Sequence, residues 1–243
     1  MKIIKVKNYE EMSEVAAKFI IDAVKENPKL NLGLATGGTP VGMYKLLVDD
    51  HKENNTSYEN VKSFNLDEYI GLPQDHEQTY YTFMHENLFD HVNFKEENVY
   101  VPNGYSDNGE EKAKEFEQLL IDNPIDLQLL GLGTNGHIGF NEPGADFEGL
   151  TSIVDLSNET IEANARYFEG NEDLVPTTAI SMGIGSILRA KKILLIVSGA
   201  NKAEVIRDLV EGPVTNQLPG SILQNHNDVT IVVDEDAAKL LSK

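Results

Sequence analysis

Cysteine is absent from the chain. Disulfides, thiolate nucleophiles and cysteine-ligated zinc are thereby excluded, and a reducing compartment is compatible with the composition. Cations are scarce: 20 Lys and Arg stand against 40 Asp and Glu, a formal net charge of −20. Nucleic acids and anionic membrane surfaces are bound through clustered cations, so neither is an expected partner. Long apolar runs are also missing. The start, Met1-Lys2-Ile3-Ile4-Lys5-Val6-Lys7, is too broken by lysine for a signal peptide, and nothing approaches the ~20 apolar residues of a membrane span. The chain reads as a soluble, cytoplasmic protein. Its 243 residues are 40% hydrophobic, enough for a sizeable core.

What is present is a regular alternation of strand and helix. Ile3 to Val6 reads as a strand. Met12, Val15, Ala16, Phe19, Ile20, Ala23 and Val24 follow at helical spacing, one apolar stripe of an amphipathic helix that Asn27-Pro28 ends. Leu30 to Ala35 is a second strand, and a helix from about 40 to 51 follows it, with Thr39 as N-cap and Pro40 as first residue. Further strands are expected at 61–66, 98–101, 126–131, 178–182, 192–198 and 229–233. Further helices are expected near 77–90, 108–121, 158–168, 183–190, 200–211 and 235–242. Such alternation predicts one α/β domain over 1–243, a mostly parallel, twisted, Rossmann-like sheet with helices on both faces. Ligands bind such sheets at the carboxyl ends of the strands.

The segments that carry chemistry follow strands. Thr36-Gly37-Gly38-Thr39-Pro40 brings backbone N–H groups and two hydroxyls to a helix start, a place for an anion or, more plainly, a tight turn. Phe64-Asn65-Leu66-Asp67-Glu68-Tyr69 ends another strand. One of Asp67 and Glu68 suits a general base and the other a backbone-holding role; a solvated or capping pair is the plainer alternative. Gly131-Leu132-Gly133-Thr134-Asn135-Gly136 matches the dinucleotide fingerprint, with Asp155 at a suitable distance. That fingerprint needs a helix opening at its third glycine. Gly139, Pro143 and Gly144 allow only a loop there, so no dinucleotide is expected.

In that loop His137 is the natural acid/base, Glu142 a group to orient its ring, and Asn135 a hydrogen-bonding neighbour. His51, His76, His85, His91 and His226 are read as structural. No histidine spacing suits a metal. Ser198-Gly199-Ala200-Asn201-Lys202 places a lysine at a helix start, unfavourable to the helix dipole unless an anion binds there. Residues 63–94 and 115–165 hold no Lys or Arg, and Arg166 is the first cation after the second stretch. All these loops converge on one sheet edge, which favours an enzyme.

The runs Leu34-Ala35-Thr36-Gly37-Gly38-Thr39-Pro40, Phe64-Asn65-Leu66-Asp67-Glu68-Tyr69, Gly136-His137-Ile138-Gly139-Phe140-Asn141-Glu142-Pro143 and Gly199-Ala200-Asn201-Lys202-Ala203 closely resemble the glucosamine-6-phosphate deaminase family. Related 6-phosphogluconolactonases share the glycine loop and the Asp-Glu pair but only the Gly-His core of the third run. The resemblance implies deamination of a sugar phosphate to a ketose phosphate and ammonia, without cofactor or metal. It implies His137, with Glu142 and Asn135, in ring opening, and Asp67 in proton transfer from C2 to C1. Thr36, Gly37, Gly38, Thr39, Arg166 and Lys202 are the implied phosphate ligands. Some members are hexamers activated by an acetylated sugar phosphate through basic residues beyond the His–Glu loop. The matching stretch here, Leu150-Thr151-Ser152-Ile153-Val154, has no cation, so weak or absent activation and a monomer or small homo-oligomer are expected. A lid over 138–170, with glycine hinges, is a further expectation.

Overall fold

The computed structural model describes residues 1–242; Lys243, the last residue of the expected 1–243 domain, lies outside the described residues. In chain order the elements are β1 (Lys2–Val6), α1 (Tyr9–Glu26), β2 (Asn31–Leu34), α2 (Val41–Asn54), β3 (Lys62–Asn65), β4 (Asp67–Tyr69), α3 (Tyr80–Asn87), β5 (Val99–Tyr100) and α4 (Gly109–Asp122). They continue with β6 (Leu127–Leu130), β7 (Ser152–Asp155), α5 (Asn158–Asn164), β8 (Thr178–Ser181), α6 (Ile184–Ile187), β9 (Lys192–Val197), α7 (Ala203–Glu211), β10 (Val229–Asp234) and α8 (Glu235–Ala238). No helix among the described residues is long and apolar enough to cross a membrane.

Seven strands form a parallel sheet in the order β1-β10-β9-β6-β2-β3-β5. Its inner strands are buried along nearly their whole length, as in residues 193–197 and Val229–Asp234, which is what coverage on both faces demands. The chain steps one way from β1 through β2 and β3 to β5, then reverses through β6 and β9 to β10. Right-handed crossovers therefore place α1 and α2 on one face and α4 and α7 on the other. The reversal falls between β2 and β6, adjacent strands whose following loops diverge. An open α/β sheet has its crevice there.

The apolar stripe of α1 buries Met12, Ala16, Ala17, Ile20 and Val24, and Asn8 caps it by accepting from the Glu11 N–H at 3.0 Å. The start of α2 differs from expectation. Pro40, not Thr39, is the N-cap, and no side chain of its own caps it. Tyr9 does the work instead: its hydroxyl accepts from the Gly42 N–H at 2.9 Å and donates to the Gly38 carbonyl at 3.3 Å. A residue 33 positions away thus fixes the glycine loop, and no local pattern announces it.

A second sheet was not expected. The strand foreseen at 61–66 runs past Leu66 into β4, and β4 pairs antiparallel with β8, which pairs antiparallel with β7. The strand at 178–182 thus belongs to this small sheet, not the large one. Its sequence alternates with helices like its neighbours, so period alone could not assign it. Leu66 is the joint: its N–H reaches the Leu34 carbonyl at 3.2 Å, and its own carbonyl accepts from Met182 at 2.8 Å. A separate apolar cluster of Tyr69, Phe140, Leu156, Ala165, Phe168, Val175 and Ala179 fills the space under the small sheet and the segment after it.

Candidate active site

The loops after β2, β3, β6 and β9 meet at the switch point around a cleft of about 610 Å³. Thr36, Gly37, Gly38, Thr39, Asp67, Asn135, His137, Arg166 and Lys202 all line it. Of the residues expected at the site, only Glu142 does not; it stands behind His137. None of the five other histidines lines the cleft.

Asp67 is 6% exposed, at the seam where the large sheet passes into the small one and opposite Ser181 in the β4–β8 ladder. Burial, with the neighbouring Glu68 carboxylate, pushes its pKa up to about 8. Glu68 points the other way. It accepts from the N–H groups of Tyr69 at 2.8 Å, Tyr80 at 2.9 Å and Tyr81 at 2.9 Å. Burial pushes Glu68 up as well, to about 7, against those three donors. The Asp-Glu pair thus divides its labour: one acid faces the cleft and the other ties backbone.

The loop after β6 opens no helix at Gly136; residues 131–144 are turns and irregular chain. Gly133 is there because the His137 imidazole lies on it: a Cβ at that position would fall 2.3 Å from the ring Cε1. His137 Nδ1 lies 2.8 Å from Asn135 Oδ1 and 3.5 Å from Glu142 Oε2. Both partners are acceptors, which assigns the proton to Nδ1 and leaves Nε2 for a ligand. The Asn135 amide N–H donates to Glu142 Oε2 at 2.8 Å, closing a triangle. Glu142 Oε1 accepts from Ser157 at 3.1 Å and from the Thr160 hydroxyl. Burial alone would raise Glu142, but His137, Thr160 and Asn135 outweigh it and hold the carboxyl down at about 2.

Lys202 ends a 3₁₀ turn that leads into α7, and Arg166 sits on the turn after α5. Among the described residues neither belongs to any ion pair. Burial and the nearby Arg166 charge push Lys202 down to about 8, with Glu159 opposing. A half-buried lysine and an exposed arginine without an ion-pair partner, beside a loop of free N–H groups, are an arrangement that suits an anion. The Lys202 loop is pinned from behind. Asp234, at the end of β10, accepts from Ser198 at 2.5 Å and from the Gly199 N–H at 3.1 Å, and caps α8 through the Ala237 N–H at 2.8 Å.

Several contributors were not foreseen. Tyr9 and Tyr80 line the cleft, Ser157 and Thr160 support Glu142, and Ser181 accepts from the Phe140 N–H at 3.1 Å. Asp234 had a signal, since an acid ending a strand just before a helix is the same grammar that singled out Asp67.

Fold and cleft together define an open α/β protein whose crevice gathers a buried carboxyl, a histidine backed by a carboxylate and two cations. A family model for glucosamine-6-phosphate isomerases/6-phosphogluconolactonase matches residues 6–232, and the chain belongs to that family. It is 53% identical over 242 residues to a glucosamine-6-phosphate deaminase of Clostridium perfringens (strain SM101 / Type A), covering 99% of this chain and 100% of that protein. It is 50% identical to one from Thermoanaerobacter sp. (strain X514), covering 99% and 95%. Among solved structures, a monomeric glucosamine-6-phosphate deaminase superposes with a TM-score of 0.96 at 45% identity, over 99% of this chain and 100% of that one. The 6-phosphogluconolactonase of Trypanosoma cruzi shares the fold, at TM-score 0.80 and 21% identity, over 100% and 97%.

Proposed function

We propose that this protein deaminates glucosamine 6-phosphate with water, giving fructose 6-phosphate and ammonia in amino-sugar breakdown in the cytoplasm. One observation carries the reading. A buried carboxyl without a cation partner (Asp67) and a histidine backed by an ionised carboxylate (His137 and Glu142) line or support one cleft, which two cations outside any ion pair among the described residues also line. Two acids pushed to opposite ends of the scale have separate tasks.

In this reading Gly37, Gly38, the hydroxyls of Thr36 and Thr39, Arg166 and Lys202 hold the phosphate. His137 Nε2 exchanges a proton between the anomeric hydroxyl and the ring oxygen, opening the ring. Glu142 stays ionised throughout and stabilises the imidazolium, and Asn135 keeps the ring in register. Asp67 then takes the proton from C2 and returns it to C1, and water replaces the amine at C2. No cofactor or metal enters the scheme. Segment 138–170 covers the sugar, with movement confined to its later part, since the Asn141 side chain ties the loop to Ile138 and Met182 at 2.8 Å each. The protein acts as a monomer or small homo-oligomer.

The test is ammonia release from glucosamine 6-phosphate beside hydrolysis of 6-phosphogluconolactone. Ammonia is expected without added metal or nucleotide. Asp67→Asn should lower kcat at least ~10²–10⁴-fold and abolish solvent exchange at C2 while keeping phosphate binding. Lactone hydrolysis without ammonia, or normal turnover by Asp67→Asn, overturns the reading.

A further inference from the structure

The proton-transfer scheme leaves the buried acid next to Asp67 without a task. Glu68 is 4% exposed, buried like Asp67, and is adjacent to it in sequence. An acid is rarely buried for packing alone, because its charged form costs several kcal/mol unless donors meet it. Here donors do meet it. Its two oxygens accept from Tyr69, Tyr80 and Tyr81, the last two being the first residues of α3. The helix has a conventional cap already, since Thr79 accepts from the Thr82 N–H at 3.1 Å. Glu68 is therefore an addition to an already capped helix start, where anions are favoured.

Its grip has a consequence in the cleft. The Tyr80 ring lines the cleft and lies 4.9 Å from the Tyr69 ring and 6.0 Å from Phe140. Tyr69 in turn accepts from Asn164 at 2.8 Å, two residues before Arg166. Fixing the Tyr80 backbone thus fixes a wall of the cleft. We propose that Glu68 is a positioning residue of the reaction: its carboxylate clamps the start of α3 so that Tyr80 walls the cleft, and it places a negative charge next to Asp67. This rests on the reading of Asp67 as the proton-transfer acid.

The other titratable groups around the pair are few. Tyr69 and Tyr80 face it, and burial pushes both phenols up, Tyr69 to about 12 and Tyr80 well above its usual value, so both stay neutral where Asp67 titrates. On the outer side, Tyr81 donates to Glu96 at 3.2 Å. His137, Glu159, Arg166 and Lys202 line the same cleft. Burial raises Asp67 first, and Glu68 is the neighbouring charge that adds to it.

Two variants separate charge from grip. Glu68→Gln keeps the shape, removes the charge and retains the two bonds at Oε1, giving up only the one from Tyr81. The acid limb of kcat/KM should move about one unit to lower pH, and the Asp67 carboxyl, followed by carbon-detected NMR titration in the empty protein, should move with it. Glu68→Asp keeps the charge and withdraws the grip. Its acid limb should stay, while kcat falls about tenfold as the hydrogen bonds to α3 are lost. An unmoved Asp67 titration in Glu68→Gln overturns the proposal, as does a Glu68→Asp variant with full activity. If Asp67→Asn is active, the underlying reading fails instead. Asp67→Asn inactive with an unmoved titration in Glu68→Gln sinks this inference alone.

Discussion

Asp67 and Glu142 are both shielded carboxyls, yet their surroundings act in opposite directions. Glu142 has four side chains that donate to its ionised form or carry its counter-charge, and it sits at about 2. Asp67 has burial and a like charge, and it sits at about 8. The sign of their linkage to stability differs accordingly. Glu142 stabilises the fold above its unfolded value near ~4.5, and that contribution is lost as pH falls toward ~2. Asp67 behaves in reverse. Its folded value lies above the unfolded one, so stability is full below ~4 and is lost as pH rises through about 8. The function proposed for Asp67 therefore costs stability at working pH, a common trade at active sites. Asp67→Asn removes that cost. Its melting temperature should match the parent near ~pH 4 and exceed it by several degrees near ~pH 9, given roughly 2–4 °C per kcal/mol at this chain length. A difference that does not change with pH would mean that Asp67 ionises as freely as an exposed aspartate.

At the scale of elements, the site depends on loops held from outside themselves. The glycine loop is held by Tyr9, from the start of α1, and the Lys202 loop by Asp234, from the end of β10. Asp234→Asn can still cap α8 with its carbonyl oxygen, but its amide would face the Gly199 N–H donor to donor. The expected result is a KM for the sugar phosphate raised about tenfold with kcat nearly unchanged, because a charge-assisted bond of ~1.5–3 kcal/mol is lost at the anion end only. Equal losses in kcat and kcat/KM would show that the loop also governs the proton-transfer end. The same dependence explains what the sequence disclosed. Strand–helix alternation is local, so the parallel sheet, the stripe of α1 and the meeting of the strand-end loops could be read directly. Asp67, His137 and Lys202 stood out because strand-end residues in such a sheet face the crevice. The antiparallel strands β4 and β7 are three or four residues long, too short for a period to show. Tyr9, Thr160 and Asp234 act across distances in sequence that no spacing rule spans. The choice between Asp67 and Glu68 was open from the residues because it turns on which side of the seam each faces, a matter of the register between β4 and β8.

For the whole molecule the dominant fact is the charge of −20 and its relation to an anionic substrate. A protein field of that sign repels a sugar phosphate at long range, over about 10 Å at 0.1 M salt. Capture then falls to the cleft itself, where Arg166 and Lys202 stand unpaired among the described residues and burial, with the Arg166 charge, disfavours the charged form of Lys202. An anion bound there, as proposed, would relieve that repulsion, which Glu159 in the same cleft already opposes. The stretch 115–165 contributes Asn135, His137 and Glu142 but no cation, so the residues proposed for ring opening and the two cations proposed for the phosphate are drawn from different parts of the chain. Added salt weakens both the long-range repulsion and the short-range attraction, but the attraction acts across contact distances in a partly desolvated cleft and is screened far less. Raising ionic strength from a low value, with an anion too bulky to compete for the cation pair, should therefore leave kcat/KM unchanged or increase it. A steep fall would show that the cations reach out beyond the cleft and steer the substrate in, and that the acidic surface around them is not what the substrate meets first.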